Sequence, residues 1–356
     1  MIRKIKAVVV DDSAFMRKSL SIMLESDGEI EVVGTANDGV EGFNVIKSLR
    51  PDIVTLDIEM PRMDGLATLK KVMKECPTSV LMVSSLTTEG ADATLRALEY
   101  GAVDFIPKEL SYVNVNIINI KEDLIRKVKE IVKQKALKER LARLRRVGTT
   151  TKPEPYKAPP INALISYPFK AMGLGISTGG PFSLQKVLPG LSKKIDIPIF
   201  IVQHMPPKFT KSLAERLNSM SELEVKEAEH NETVRKGVIY IAPGGYHMTV
   251  RKDSSGKVFI QISDQPADTL HRPSVDVMIH SLVSVYGRDL LGVIMTGMGR
   301  DGSEGIKELK NLSGYCIAQD EESCVVYGMP KAIVDGGMAD AIVPLDHMSE
   351  ILNKVL

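Results

Sequence analysis

Along the first third of the chain, short β-branched runs at residues 7–10, 31–35, 53–56, 80–83 and 103–106 alternate with stretches whose apolar positions recur at helical spacing. Runs this short and rich in β-branched residues suit strands. Five such strand–helix units predict a parallel sheet covered by helices on either side. Ser13 is expected to cap a helix running to Leu24, and Gly101 to stop one ending near Tyr100. The alternation returns beyond residue 160, where residues 171–176, 198–202, 238–241, 258–262, 290–295 and 315–318 read as strands, with helical stretches after several of them. An antiparallel turn is expected at Pro243-Gly244-Gly245. Both halves are therefore α/β, and neither contains an internal repeat.

The two halves are joined by a charged connector. From residue 121 to 146 there are 11 Lys or Arg against 4 Asp or Glu, while Leu124, Ile125, Val128, Ile131 and Val132 keep a helical stripe that fades towards Leu144. The first part reads as the last helix of the leading domain and the rest as an exposed extension, its charge that of a solvated helix face rather than a docking site. Residues 147–160, with Thr149-Thr150-Thr151 and prolines at 153, 155, 159 and 160, have linker composition. The expected division is a leading domain at 1–130, a charged extension and linker at 131–160, and a second domain at 161–356.

Charge and cysteine content narrow the setting. A net charge of +1 over 356 residues gives no global attraction to nucleic acid or to an anionic membrane. Cys76, Cys316 and Cys324 are too few and too irregularly spaced for a disulfide framework or a zinc site. Neither a signal-peptide core nor a membrane-spanning run is visible, so a cytoplasmic protein with no membrane insertion is expected.

In a parallel α/β sheet, ligands bind beyond the carboxyl ends of the strands. In the first domain those ends carry Asp11 and Asp12, Asp57, Ser84 and Lys108. Clustered carboxylates repel unless a cation lies between them, and hard oxygen donors favour Mg2+. A carboxylate beside a metal can accept a phosphoryl group, with a lysine offsetting the charge on the transferred oxygens. The runs Val10-Asp11-Asp12-Ser13, Asp57-Ile58-Glu59-Met60-Pro61 and Met63-Asp64-Gly65, with Lys108, resemble the receiver domain of two-component response regulators, a flavodoxin-like (βα)5 fold. The resemblance covers about residues 1 to 130. It implies that Asp57 is the phosphoacceptor and that Asp11, Asp12, Asp57 and the Glu59 backbone carbonyl hold Mg2+. It further implies that Ser84 is the switch hydroxyl and Phe105 the rotating aromatic. The family usually has proline after the lysine; here Glu109 follows Lys108 and Pro107 precedes it.

The second domain carries Gly175-Ile176-Ser177-Thr178-Gly179-Gly180, which satisfies the G-x-S-x-G nucleophile-elbow pattern. An α/β-hydrolase would place its acid before its histidine, whereas here His204, in Gln203-His204-Met205-Pro206-Pro207, precedes Asp301, in Gly297-Met298-Gly299-Arg300-Asp301-Gly302. A triad is recognised by geometry and roles, so the order Ser, His, Asp points to a different fold. His204 lies 27 residues after Ser177, room for one helix and a second parallel strand, and a right-handed crossover sets the two side by side. Asp301 follows a third strand and can reach the far ring nitrogen. His247, entering a hairpin strand, reads as packing or rim; His271 lies in a polar loop suited to substrate binding or to a structural hydrogen bond; His230, His280 and His347 read as structural. Dinucleotide binding is a poorer reading, because the glycines are not spaced G-x-G-x-x-G and the next strand ends in His204 rather than an acid.

Together with His271-Arg272-Pro273-Ser274-Val275-Asp276, these motifs resemble the catalytic domain of chemotaxis protein-glutamate methylesterases, the CheB family, over about residues 165 to 355. The resemblance implies a catalytic triad of Ser177, His204 and Asp301, the Met298 backbone near the oxyanion hole, and Thr178 and His271 lining the site. The expected function is phosphorylation-activated hydrolysis of glutamyl methyl esters, with deamidation of glutamines, on methyl-accepting chemoreceptors, giving sensory adaptation. A chemotaxis histidine kinase would be the phosphodonor. Mg2+ is expected for receiver phosphorylation, no cofactor for the esterase, and no nucleic-acid partner. The competing reading is a receiver driving a non-catalytic receptor- or DNA-binding module.

Overall fold

The computed structural model describes residues 3–108, 114–147, 164 and 167–356. Glu109 and the Pro/Thr-rich residues 148–160 lie outside the described residues. The chain divides into two units, Met1–Arg145 and Arg146–Leu356, each built on its own parallel sheet.

In the first unit, strands β1 (Ile5–Val10), β2 (Ile30–Ala36), β3 (Ile53–Asp57), β4 (Ser79–Ser84) and β5 (Asp104–Pro107) alternate with helices α1 (Ala14–Glu25), α2 (Gly39–Leu49), α3 (Gly65–Glu75) and α4 (Thr88–Glu99). The strand order β2-β1-β3-β4-β5 is that of flavodoxin-like sheets. The central strands β3 and β4 are buried at every residue, which is why they read as mostly apolar runs without alternation. Side-chain oxygens start the helices: Ser13, Asp38, Asp64 and Thr87 each accept an amide of the first turn. Helix α5 (Asn114–Val147) is one continuous element of 34 residues, with Leu124, Val128 and Ile131 on its buried side.

The second unit places seven strands in the order β14-β13-β12-β6-β7-β9-β8, all pairs parallel. They are β6 (Ala171–Ile176), β7 (Ile199–Gln203), β8 (Glu224–Glu227), β9 (Val238–Ile241), β12 (Leu290–Ile294), β13 (Tyr315–Gln319) and β14 (Ala341–Val343). The helices are α6 (Gly180–Val187), α7 (Phe209–Met220), α8 (Val275–Tyr286), α9 (Ser303–Asn311), α10 (Met329–Asp335) and α11 (Leu345–Val355). The chain first builds outward from β6 through β7 to β9 and β8, then returns to the other side of β6 to lay down β12, β13 and β14. The order reverses between β6 and β12, and such a switch point opens a crevice at the strands' carboxyl ends.

Two features differ from the sequence expectation. Pro243-Gly244-Gly245 turns the chain but makes no antiparallel pair, because β9 is already bonded on both edges, by β7 and β8. The hairpin lies one segment later, between β10 (His247–Lys252) and β11 (Val258–Ser263), outside the main sheet. Strands β8 and β14 also escaped the pattern: β8 is an edge strand of sequence Glu-Val-Lys-Glu, and β14 has three residues.

Candidate functional site

Strands β12, β6 and β7 are neighbours, and each delivers one of the polar residues singled out in the second domain. Register fixes their level: Ile176 lies opposite Gln203, and Gly175 opposite Ile294. Just beyond, the Ser177 amide donates to the Thr296 carbonyl at 2.9 Å, and the His204 amide to the Ile176 carbonyl at 3.2 Å. Gly297 lies so close to Ser177 that an added Cβ would come within 2.9 Å of the serine Cβ.

Asp301, in the loop after β12, is the most heavily bonded carboxylate of the site. Oδ2 accepts from His204 Nε2 at 2.8 Å and from the Val275 amide at 2.7 Å; Oδ1 accepts from the Ser274 hydroxyl at 2.9 Å and the Asp276 amide at 3.0 Å. Those two amides belong to the first turn of α8, where the helix's partial positive charge also favours an anion. Burial alone would raise the Asp301 carboxyl, but the His204 hydrogen bond and charge, with the Asp276 and Val275 amides, outweigh it and hold the group far below the usual carboxylate range. Asp276 behaves oppositely: burial and the charge of Asp301 raise it, against the Gly305 amide.

With Nε2 taken by Asp301, the ring nitrogen of His204 left for a reacting group is Nδ1, which is buried and has no hydrogen-bond partner among the described residues. The ring of His271 stacks on that of His204, centroids 4.2 Å apart and planes 24° off parallel. Ser177 opens the turn into α6; Gly179, at φ 77°, lets the chain enter the helix with Pro181 in its first turn. Thr178 and Met298 are both buried, and among the described residues neither amide donates to a protein acceptor.

Two residues that the sequence reading left without a role brace this arrangement. Gln203 Nε2 donates to the carbonyls of Ser177 (3.0 Å) and His204 (3.2 Å), tying the two strand ends together. Thr296, fully buried, donates through its hydroxyl towards the Thr178 carbonyl at 2.9 Å and accepts the amides of Val325 and Val326. Both side chains are polar residues at the buried end of an apolar strand. That was their signal.

The first unit gathers its own cluster. Carboxylate oxygens of Asp11, Asp12 and Asp57 lie within 4.8 Å of one another, and Lys108 Nζ stands 2.7 Å from Asp57 and 3.2 Å from Asp11. Burial, helped by the charge of Asp11, pushes Asp57 up to about 6 in spite of Lys108; burial likewise raises Asp11. Among the described residues, Asp11 Oδ2 and Asp57 Oδ2 are buried acceptors partnered by the lysine charge alone, so the donor set fits a hard divalent cation. Glu59 is exposed, and its amide donates to Asp57 Oδ1 at 3.3 Å. Ser84 is buried and turned towards α4, donating to the Gly90 carbonyl (3.1 Å) and accepting from Thr94 (2.7 Å). Phe105 is buried, with its carbonyl bonded by Lys127 Nζ at 2.9 Å.

Comparison with known proteins agrees with both halves. Residues 172–352 match the family model described as CheB methylesterase, and residues 7–116 that of the response regulator receiver domain. A protein-glutamate methylesterase/protein-glutamine glutaminase of Pyrococcus horikoshii is 47% identical over 99% of this chain and 94% of its own length. One from Nitratidesulfovibrio vulgaris is 51% identical over 97% of each. Among solved structures, the Thermotoga maritima CheB methylesterase catalytic domain is 44% identical, covering 53% of this chain and 99% of that one, with a TM-score of 0.51.

Proposed function

The chain belongs to the CheB methylesterase family and carries a response regulator receiver domain in front; from that premise we propose that it hydrolyses glutamyl methyl esters, and deamidates glutamines, on chemoreceptors. The observation that carries the reading is the Asp301–His204 pair, whose carboxylate is held by three further hydrogen bonds at the switch point beside Ser177.

In this reading Ser177 Oγ attacks the ester carbonyl while His204 Nδ1 takes the serine proton. Asp301 keeps the other ring proton on Nε2 and stabilises the imidazolium that forms. The oxyanion is met by the amides of Thr178, at the entry to α6, and of Met298, in the loop after β12. As the tetrahedral intermediate collapses, the bond to the alkoxy oxygen breaks and His204 returns its proton, releasing methanol. Water, deprotonated by His204, then attacks the acyl-enzyme, and Ser177 leaves with the proton restored. A glutamine side chain passes through the same steps with ammonia as the leaving group. His271, stacked on the base, lines the acyl side of the site, and no cofactor enters these steps.

Receiver domains use Mg2+ for phosphorylation. We assign its binding here to Asp11, Asp12, Asp57 and the Glu59 carbonyl, where it would offset carboxylate charge and draw a phosphodonor's oxygens towards Asp57. Asp57 accepts the phosphoryl group, Lys108 pairs with it, and Ser84 leaves Thr94 to bond it while Phe105 turns. The phosphodonor is a chemotaxis histidine kinase. Among the described residues no helix is long and apolar enough to cross a membrane, and the reading places the enzyme in the cytoplasm.

Methanol release from methylated receptor membranes, with and without Mg2+ and a small-molecule phosphodonor, tests the reading. Release that rises with the phosphodonor and vanishes in Ser177→Ala is expected; undiminished release from that variant refutes the nucleophile.

A further inference from the structure

His247 stands at the start of β10, fully buried, and touches neither Ser177 nor His204 through any hydrogen bond. Its two nitrogens nevertheless hold the two ends of one loop. Nδ1 accepts the Ser274 amide at 3.2 Å, while Nε2 lies 3.1 Å from the Pro266 carbonyl and 3.1 Å from the Thr269 hydroxyl. A carbonyl can only accept, so the ring proton is on Nε2 and Nδ1 carries the lone pair that Ser274 needs. Burial pushes the group towards this neutral form.

What that loop carries is the site. Its middle bears His271, stacked on His204. Its last residue, Ser274, caps α8, gives its hydroxyl to Asp301, and sets the position of the Val275 and Asp276 amides that bond the same carboxylate. Three of the four hydrogen bonds on Asp301 thus come from consecutive residues whose first member is anchored by His247. The preceding turn is tied in as well, through the Gly245 amide and the Arg272 carbonyl.

Resting on the function proposed above, we infer that His247 is a positioning residue for the esterase, with a division of labour between its nitrogens. Nδ1 sets the donors around Asp301 and so the alignment of the base; Nε2 sets the limb of the loop that carries His271 and so the fit of the substrate.

The division can be read with two near-isosteric variants of the full-length protein. In His247→Asn the side-chain oxygen replaces Nδ1 and nothing reaches Pro266; in His247→Gln the amide nitrogen replaces Nε2 and Ser274 loses its acceptor. Misplacing a catalytic group by about 1 Å costs on the order of 100-fold. His247→Gln is therefore expected to lower kcat about 10- to 100-fold with KM little changed, and His247→Asn to keep kcat within about threefold while raising KM about tenfold. Equal losses in both variants, losses in the reverse parameters, or no loss in either overturns the inference. Should either variant fail to fold, 15N-detected histidine spectra of the wild-type protein decide it: His247 must carry its proton on Nε2, and a proton on Nδ1 overturns the assignment. Wild-type protein that releases no methanol would defeat the esterase reading itself, whereas active wild type with the wrong variant pattern defeats only the role of His247.

Discussion

Replacing Asp301 by asparagine keeps the volume and removes the charge, and the four donors around the carboxylate dictate how the amide must sit. With its nitrogen in the place of Oδ2, the amide would face the Val275 N–H at 2.7 Å and donate to His204 Nε2 at 2.8 Å. That forces the ring proton onto Nδ1, the tautomer that cannot take a proton from Ser177, a defect worth about 10⁴ in kcat in a triad. With the nitrogen in the place of Oδ1, the clash is with the Asp276 N–H at the longer distance of 3.0 Å, and the Ser274 hydroxyl at 2.9 Å can turn to accept. The second orientation keeps the oxygen on His204 and is the one expected. What is lost is then the charge on the acceptor and the stabilisation of the imidazolium, about 2–3 kcal/mol, or roughly 30- to 150-fold in kcat. Methanol release at neutral pH gives kcat, with thermal unfolding as the control for folding. A kcat within about threefold of wild type refutes the role given to Asp301, and a loss near 10⁴ refutes the argued orientation.

Asp57→Asn should stabilise the receiver by about 2–3 kcal/mol at pH 8 without divalent cations, because burial holds the wild-type carboxyl at about 6 against its ordinary 3.8. The folded value lies above the unfolded one, so the gain is full above about pH 6 and fades as the pH falls towards 4. Urea titrations read by proteolysis of the receiver would falsify this if the gain were the same at pH 8 and pH 4, and Mg2+ is expected to shrink the gain at pH 8. Gly180→Ala places a Cβ on the side-chain oxygen of Gln203, whose nitrogen bonds Ser177 and His204; about 1–3 kcal/mol of stability and about tenfold in kcat should be lost. Unchanged kinetics would show that Gln203 does not brace the strand ends. Thr296→Val removes the acceptor of the Val325 and Val326 amides, costing about 2–4 kcal/mol and lowering Tm by roughly 5–15 °C in calorimetry; a Tm within about 2 °C of wild type contradicts that account.

The parallel sheets were legible because their strands are short, buried on both faces and end in polar residues whose chemistry is out of place in a core. Asp57 and His204 stand out against Ile53–Asp57 and Ile199–Gln203 for that reason. The misplaced hairpin shows the limit. Pro243-Gly244-Gly245 is a real turn, but whether the next strand can pair with β9 depends on a free edge, and that edge is taken by β8, whose alternating charges conceal it. The extent of α5 was obscured in the same way, its apolar stripe fading while the backbone stays helical to Val147. In sequence His247 reads as packing or rim, because its partners lie 19 and 27 residues away along a loop whose path no local pattern encodes.

The position of Asp301 also imposes an order in time. Ser177 and His204 directly follow adjacent strands early in the second unit, but Asp301, the carboxylate bonded to His204, is 97 residues further on, on the far side of β6. A chain emerging from the ribosome completes the unit ending at Arg145 well before Asp301 exists. At ordinary synthesis rates the interval is on the order of 10–30 s. Each new molecule thus contains Asp57 before it contains Asp301, so that in the function proposed above the phosphoacceptor precedes a complete triad.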